Sequence, residues 1–255
     1  MVDKKKDAPF HKSDENHKVI KAAGVIMIAM FISRILGFVR EQAITTQFGR
    51  TYITDAYIAA FSIPDLLYNL LVGGALSSAF IPVLSSYLAL DKEDEAWEMT
   101  STVINIAVLG LTAGIILGEY FMPYLIPIVA SKFSGEKLAL TVTLSRIMFP
   151  AVLFTGLNGL LMGILNSYKN FVYPAVGAVV YNAGIITVGI ILGPHIGIAG
   201  FSVGVIVGVI GNFLVVLVPL ARMGKLKYKP ILKLSHPGVK KIGLLMIPTL
   251  IGKPD

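Results

Sequence analysis

The chain of 255 residues is 55% apolar, only 15% charged, and has a mean hydropathy of +0.76. A soluble domain carries about 25% charged residues, whereas this chain contains repeated apolar runs long enough to cross a hydrocarbon core. These features exclude an ordinary soluble domain and predict an all-α polytopic membrane protein, because helices satisfy their backbone polar groups internally. The absence of cysteine excludes disulfides and thiolate metal sites.

Hydropathy divides the chain into a polar tail, six complete spans and the beginning of a seventh. The second span, at about 53–90, is too long for one straight crossing and contains Pro64 and Gly73-Gly74, so we expect it to be bent or broken. The other spans are predicted at about 19–44, 97–128, 138–165, 172–192 and 196–220. The predicted organisation is a disordered cytoplasmic tail (1–18), a six-helix transmembrane lobe (19–221), a basic cytoplasmic loop (222–238) and the start of a truncated seventh helix (239–255).

Lysine and arginine are distributed unevenly between the two sides of the membrane. Fifteen fall on the side of the amino terminus, and three fall on the other side, namely Arg50, Lys132 and Lys137. This bias predicts a cytoplasmic amino terminus. The basic loop is predicted to lie along anionic headgroups, so the net charge of +7 does not predict a nucleic-acid partner.

The first span carries charges that a lipid-facing helix should exclude. At 100° per residue, Ser33, Arg34, Gly37, Arg40 and Glu41 share an arc of about 120°. A small residue between two cations leaves room for a ligand to approach, so this face is predicted to be an anion-binding wall of a cavity. The alternative is that Arg40 and Glu41 mark the outer end of the helix and extend toward headgroups.

Asp55 lies near the outer end of the second span, where two interpretations remain open. It could pair with Arg40 across the short turn between the spans and close the outer end. It could also be an acid at a helix N-terminus, favoured by the macrodipole, with Thr51 or Thr54 as the cap.

Asp65 follows Pro64 and lies about 15 Å deeper than Asp55 at helical rise. An ionisable residue in the middle of a membrane needs a partner, and Arg34 is one candidate. In the fourth span, Arg146 could line the same cavity or meet headgroups.

Signatures of catalysis are missing from the chain. It has no G-x-S-x-G, P-loop or H-E-x-x-H motif, and its four histidines lie in tails or loops without metal-ligand spacing. We therefore predict that the protein is not an enzyme, contains no ATP motor and needs no cofactor.

Several strings of residues are similar to one family, MurJ/MviN, the bacterial lipid II flippases of the MOP exporter superfamily. These strings are SRILGFVRE (33–41), FG (48–49), TDAYIAAFSIPDLL (54–67), GGALSSAFIPVL (73–84) and FPAVLFTGLNGLLMGILNSYKNF (149–171). The resemblance covers residues 21–252 and implies a fold in which two six-helix lobes face each other. This chain resembles the amino-terminal lobe only.

The resemblance also implies roles for individual residues. Ser33, Arg34, Arg40 and Glu41 would line a central cationic cavity that holds the lipid II pyrophosphate, and Asp55 would help to gate its outer end. Alternating access would carry undecaprenyl-pyrophosphate-linked peptidoglycan precursor to the outer leaflet of the bacterial plasma membrane. Sodium or proton coupling would use a site outside this chain.

The sequence departs from the family pattern in the second span. Tyr68 and Asn69 stand where many members have arginines, and Asp65 replaces a residue that is usually uncharged. The cavity is therefore expected to be less cationic than in those relatives. Two alternatives remain: export of another lipid-linked oligosaccharide, or a non-transporting scaffold fragment. The expected partners are lipid II, membrane lipids and cell-wall synthesis proteins.

Overall fold

The computed structural model describes residues 10–69 and 75–251, and this part of the chain is helical without a strand. The helices are α1 (Phe10–Phe48), α2 (Tyr52–Ala60), α3 (Ser62–Tyr68), α4 (Ala75–Ala89), α5 (Glu93–Val129), α6 (Gly135–Met148), α7 (Ala151–Ser167), α8 (Val172–Ile196), α9 (Ala199–Arg222) and α10 (Pro237–Ile251). The last of these begins at Pro237, two residues before the predicted start of the seventh helix, and residues 252–255 lie outside the described part.

Four helices in the described residues, α1, α5, α8 and α9, are long and apolar enough to cross a membrane. The pair α6 and α7 passes the same test as one span with a 46° bend. The bend follows Pro150, which precedes the first residue of α7 and has no N–H to continue the helix. The all-α polytopic fold predicted from hydropathy is confirmed, with four or five spans in the described residues.

The predicted second span is interrupted, as expected, although its first break lies before Pro64. Helices α2 and α3 separate at Phe61. Pro64 cannot donate a hydrogen bond to the carbonyl of Ala60, one turn earlier. The Ser145 hydroxyl of α6 donates to that oxygen at 2.9 Å, which satisfies it inside the protein. The predicted break at Gly73-Gly74 lies outside the described residues.

Helix α1 begins at Phe10, nine residues before the predicted start of the first span. The prediction of a disordered tail over 1–18 is therefore wrong from Phe10 onward, and residues 1–9 lie outside the described part. Residues 10–18 contain neither glycine nor proline. Once an apolar span has formed a helix, adding such residues to its end requires no new nucleation.

Helices α8 and α9 form the closest pair in the lobe because glycines bring their backbones together. A Cβ atom on Gly184 would lie 2.7 Å from the Cα of Gly208, and one on Gly208 would lie 2.5 Å from the carbonyl oxygen of Tyr181. Small residues allow this approach. Van der Waals contact then stabilises the pair, because inside a membrane no release of water drives the association of helices.

The segment between α9 and α10 crosses the start of α5, and we call residues 223–236 the strap. Its backbone is bound by polar side chains of α5: the Asn105 amide donates to the carbonyl of Ile231 at 2.8 Å, and the Lys229 N–H donates to the Ser101 hydroxyl at 3.0 Å. Hydrogen bonds of this kind define one path for an otherwise irregular segment.

Lysines of the strap lie against carboxylates of α5. Glu93 accepts from Lys225 at 3.1 Å and from the Tyr168 hydroxyl at 2.8 Å, and Lys233 pairs with Glu98 at 2.8 Å. Burial, reinforced by the bond to Glu93, raises the pKa of Tyr168 to about 12. These lysines therefore contact carboxylates of the protein. The sequence predicts instead that they lie along headgroups, because a count of basic residues does not show which acids, distant in the chain, will lie beside them.

Changing Glu93 to glutamine should loosen the strap, because this carboxylate joins Lys225 and Lys227 to α5. Trypsin cleavage after these lysines in the folded protein should become several-fold faster, because a less tightly bound strap separates from α5 more often and exposes its backbone. The matched control is Glu95→Gln. The partner of Glu95 is Lys92, which lies three residues earlier in the chain, at 3.1 Å, and does not belong to the strap. Equal cleavage rates for the two variants would contradict the anchoring role of Glu93.

Candidate functional site

The polar face of α1 is joined to α8 by a chain of hydrogen bonds. The Ser33 hydroxyl donates to the carbonyl of Ala178 at 3.3 Å, and the Asn182 amide donates to the Ser33 hydroxyl at 3.2 Å. Arg40 donates to the Asn182 amide oxygen at 3.4 Å and pairs with Glu41 at 3.1 Å. The structure therefore brings Ser33, Arg40 and Glu41 together through Asn182, which acts between helices as expected for an asparagine in a membrane.

The Arg40 side chain is 25% exposed and lies against α8. Its Nη1 and Nη2 atoms have partners, but its Nε is buried without one in the described residues, and so is the nearby Tyr57 hydroxyl. A guanidinium has five N–H donors in a fixed plane. Arg40 is therefore held in position through two of its three nitrogens, and its buried Nε has no acceptor among the described residues.

Arg34 is exposed and has no hydrogen bond or ion pair with any described side chain. The expected pair with Asp65 is not formed among the described residues. Gly37 stands between the two arginines, and a Cβ added to it would meet nothing within 4 Å. The space beside Gly37 is therefore open, and Arg34, three residues earlier, has no partner among the described residues.

Asp55 pairs with Lys137 at 2.6 Å, so the pair expected with Arg40 does not form. Lys137 comes from the first turn of α6, which packs beside α2, whereas Arg40 is drawn toward Glu41 and α8. The other interpretation of Asp55 also holds. Thr51 caps α2, the Thr54 hydroxyl accepts from the Thr51 N–H, and Asp55 lies in the first turn.

Asp65 borders a cavity of about 340 Å³ among α3, α7, α8 and α9. We call this cavity the Asp65 pocket. Its polar lining consists of Asp65, Tyr68, Thr155, Asn158, Tyr181 and Asn212. Tyr68, noted in the sequence as a departure from the family pattern, is therefore part of this pocket. Asp65 makes no ion pair with the described residues.

Two polar contacts were not evident in the sequence. Arg146 lies 3.9 Å from the carboxylate of Glu119 and donates to the backbone carbonyl oxygen of Glu119 at 3.2 Å, and its side chain is 45% exposed. Lys137 pairs with Asp55 over 82 positions in the chain. Both contacts could have been suspected from the sequence, because charged residues are rare inside apolar spans and pair with one another there.

Comparison with known proteins identifies the family of this chain. The family model described as lipid II flippase MurJ matches residues 44–253. The chain belongs to this family. A lipid II flippase MurJ from Burkholderia cenocepacia is 33% identical over 224 residues, and a probable lipid II flippase MurJ from Rickettsia prowazekii is 35% identical over 233 residues.

Solved structures show the same fold. A structure described as lipid II flippase MurJ in an inward closed conformation matches with a TM-score of 0.70 and 30% identity over 89% of this chain. A MOP superfamily transporter from Pyrococcus furiosus matches with a TM-score of 0.68 at 13% identity, which shows the fold alone. The chain is therefore a multi-pass protein of a bacterial membrane with the architecture of one MOP lobe.

The chain spans about half the length of the proteins it matches. The match to the Burkholderia protein covers 85% of this chain and 43% of that protein. The match to the Rickettsia protein covers 90% of this chain and 46% of that protein. The MurJ structure is covered to 47%. About half of each of these proteins thus corresponds to the lobe described above.

Proposed function

We propose that this chain is the amino-terminal lobe of a lipid II flippase, which moves undecaprenyl-pyrophosphate-linked peptidoglycan precursor from the inner to the outer leaflet by alternating access. The observation that carries the proposal is membership of the MurJ family over residues 44–253. The polar face of α1, which carries Ser33, Arg34, Gly37, Arg40 and Glu41, supports it, because cationic side chains bind the phosphate oxygens of a pyrophosphate.

Arg34 and Arg40 have different states and would contribute differently. Arg34 has no partner among the described residues and would make the first contact with the pyrophosphate. Arg40 would exchange its bond with Glu41 for a phosphate oxygen, since arginine binds phosphate in a bidentate way and Glu41 lies 3.1 Å from it. Ser33 would position α1 against α8, and Glu41 would hold Arg40 until substrate arrives.

The Asp55–Lys137 pair would act at the outer end of the lobe. We propose that it helps to hold that end closed and that it opens as the lobe moves. The cytoplasmic amino terminus follows from the lysine and arginine bias. Movement of substrate would depend on membrane potential or an ion gradient rather than on catalysis, and cell-wall synthesis proteins would supply and consume the lipid.

The test is complementation by the full-length protein in bacteria depleted of their own lipid II flippase. Growth should be restored, and lipid II should become accessible to a membrane-impermeant reagent outside the cell. Restored growth without outward movement of lipid II would favour the scaffold alternative. Failure of both, with the protein correctly inserted, would favour export of another lipid-linked oligosaccharide.

A further inference from the structure

No residue of α1 lines the Asp65 pocket, and no step of the proposed flippase mechanism uses it. Its volume of about 340 Å³ exceeds what a single ion needs and leaves space for several waters, each of which takes about 30 Å³ in the liquid. Among the described residues that line it, Asp65 is the one charged side chain. An ionisable group in a membrane span faces a protein interior or a watery cavity and marks an ion path.

A buried oxygen in the same pocket lacks a partner. Asn158 is only 6% exposed, and its Oδ1 has no hydrogen-bond donor in the described residues. Its amide nitrogen reaches the sulfur of Met162 at 3.6 Å, which is a weak interaction. Buried polar atoms are nearly always satisfied, so an open acceptor in a pocket that also holds a carboxylate is available to a ligand that accepts electron pairs.

Thr155 lies one turn before Asn158 on α7 and lines the pocket as well. Its hydroxyl donates to the carbonyl of Ala151 at 3.0 Å, so its proton is used and its oxygen lone pairs stay available. Three kinds of oxygen therefore border one cavity: a carboxylate, an amide carbonyl and a hydroxyl. Hard cations bind such oxygen sets, whereas an anion would meet no cationic side chain there.

The charge of the pocket selects the class of ion. A single carboxylate balances one positive charge, whereas divalent sites in proteins usually combine several carboxylates. No group of three histidine, aspartate or glutamate side chains comes together in the part of the chain that the structure describes. We propose that the Asp65 pocket binds a monovalent metal cation through the carboxylate of Asp65 and the carbonyl oxygen of Asn158. This site is independent of lipid II and differs from the ion site that the family resemblance implies outside this chain.

The test measures sodium binding by the purified full-length protein. Thermal unfolding is followed in sodium chloride and in N-methylglucamine chloride at equal ionic strength, and bound ²²Na⁺ is counted by equilibrium dialysis. Sodium should raise the Tm by about 2 °C or more, because a ligand that binds only the folded state stabilises it. Asp65→Asn should lose this increase and bind one fewer sodium ion. Glu119→Gln, which removes a carboxylate outside the pocket, should behave like the wild type.

A second variant keeps the charge and protects the test from a folding defect. Asn158→Leu removes the unpaired oxygen at similar volume, so its Tm without sodium should stay equal or rise, while about tenfold more sodium should be needed for half of the increase. Equal sodium responses in the wild type, Asp65→Asn and Asn158→Leu would overturn the proposal. A wild-type Tm that responds to pH but not to sodium would also overturn it, in favour of protonation of Asp65.

Discussion

Arg34→Ala and Arg40→Ala in the full-length protein are each expected to abolish complementation of a flippase-depleted strain. A hydrogen bond to a charged group contributes about 1.5–3 kcal/mol, so loss of one arginine should weaken lipid II binding by about ten- to a hundredfold. The effect of Arg34 should be direct, because this side chain has no competing partner among the described residues. The measurements are growth at normal expression and lipid II binding by the purified variants.

Ile35→Ala and Val39→Ala are the matched controls for the arginine variants. Both residues are exposed and lie on the same helix, but outside the polar arc. These variants should complement and should bind lipid II like the wild type. If both arginine variants support growth while an Ile35 or Val39 variant fails, the α1 face serves partner contact and the pyrophosphate role is wrong.

Conservative substitutions should separate the two arginines. Lysine keeps the charge but loses the planar fork that binds phosphate in a bidentate way. Arg34→Lys should keep part of the binding, because Arg34 makes no other contact that depends on geometry. Arg40→Lys should lose more, because Arg40 bridges Asn182 and Glu41 at 3.4 and 3.1 Å with two different nitrogens.

Gly208→Leu should strongly destabilise the lobe. Even a Cβ atom at this position would lie 2.5 Å from the backbone oxygen of Tyr181, and a backbone atom cannot rotate away. Overpacking in a well-packed interior costs about 1–3 kcal/mol or more. The Tm in detergent should therefore fall by several degrees, with loss of monodisperse protein on size-exclusion chromatography.

Gly110→Leu provides the control for this prediction. A Cβ at Gly110 on α5 meets nothing within 4 Å, and the residue is exposed. The same substitution should therefore leave the Tm nearly unchanged, which distinguishes steric clash from a general effect of leucine. A Gly208→Leu protein with the Tm of the wild type would show that α8 and α9 are not held at backbone distance.

Helix positions were largely readable from the sequence, because each span is an apolar run bounded by polar or glycine-rich residues. The predicted fifth span at 172–192 and the observed α8, Val172–Ile196, begin at the same residue. The breaks were less readable. Pro64 indicated an interruption, but the separation at Phe61 depends on Ser145, which supplies the missing hydrogen bond from another helix.

The partners of the charged residues were not readable at all. Asp55 pairs with Lys137, Arg40 with Glu41 and Asn182, and Arg146 with Glu119. Helical geometry assigns a residue to a face of its own helix, but it does not say which helix lies opposite. Each of these contacts except Arg40–Glu41 joins residues that are distant in the chain, so the choice of partner is a property of packing.

The sequence by itself determined that this protein crosses a membrane, that the polar residues of its first span share one face, and that it resembles the MurJ family. Those conclusions need only hydropathy, helical periodicity and residue strings, all of which are local in the chain. Only the packed structure shows that Arg34 has no partner among the described residues, that Arg40 is held against α8, and that Asp65 and Asn158 border one cavity. The physical reason is that ion pairs and cavities form between helices, where distances depend on how backbones pack rather than on spacing along the chain.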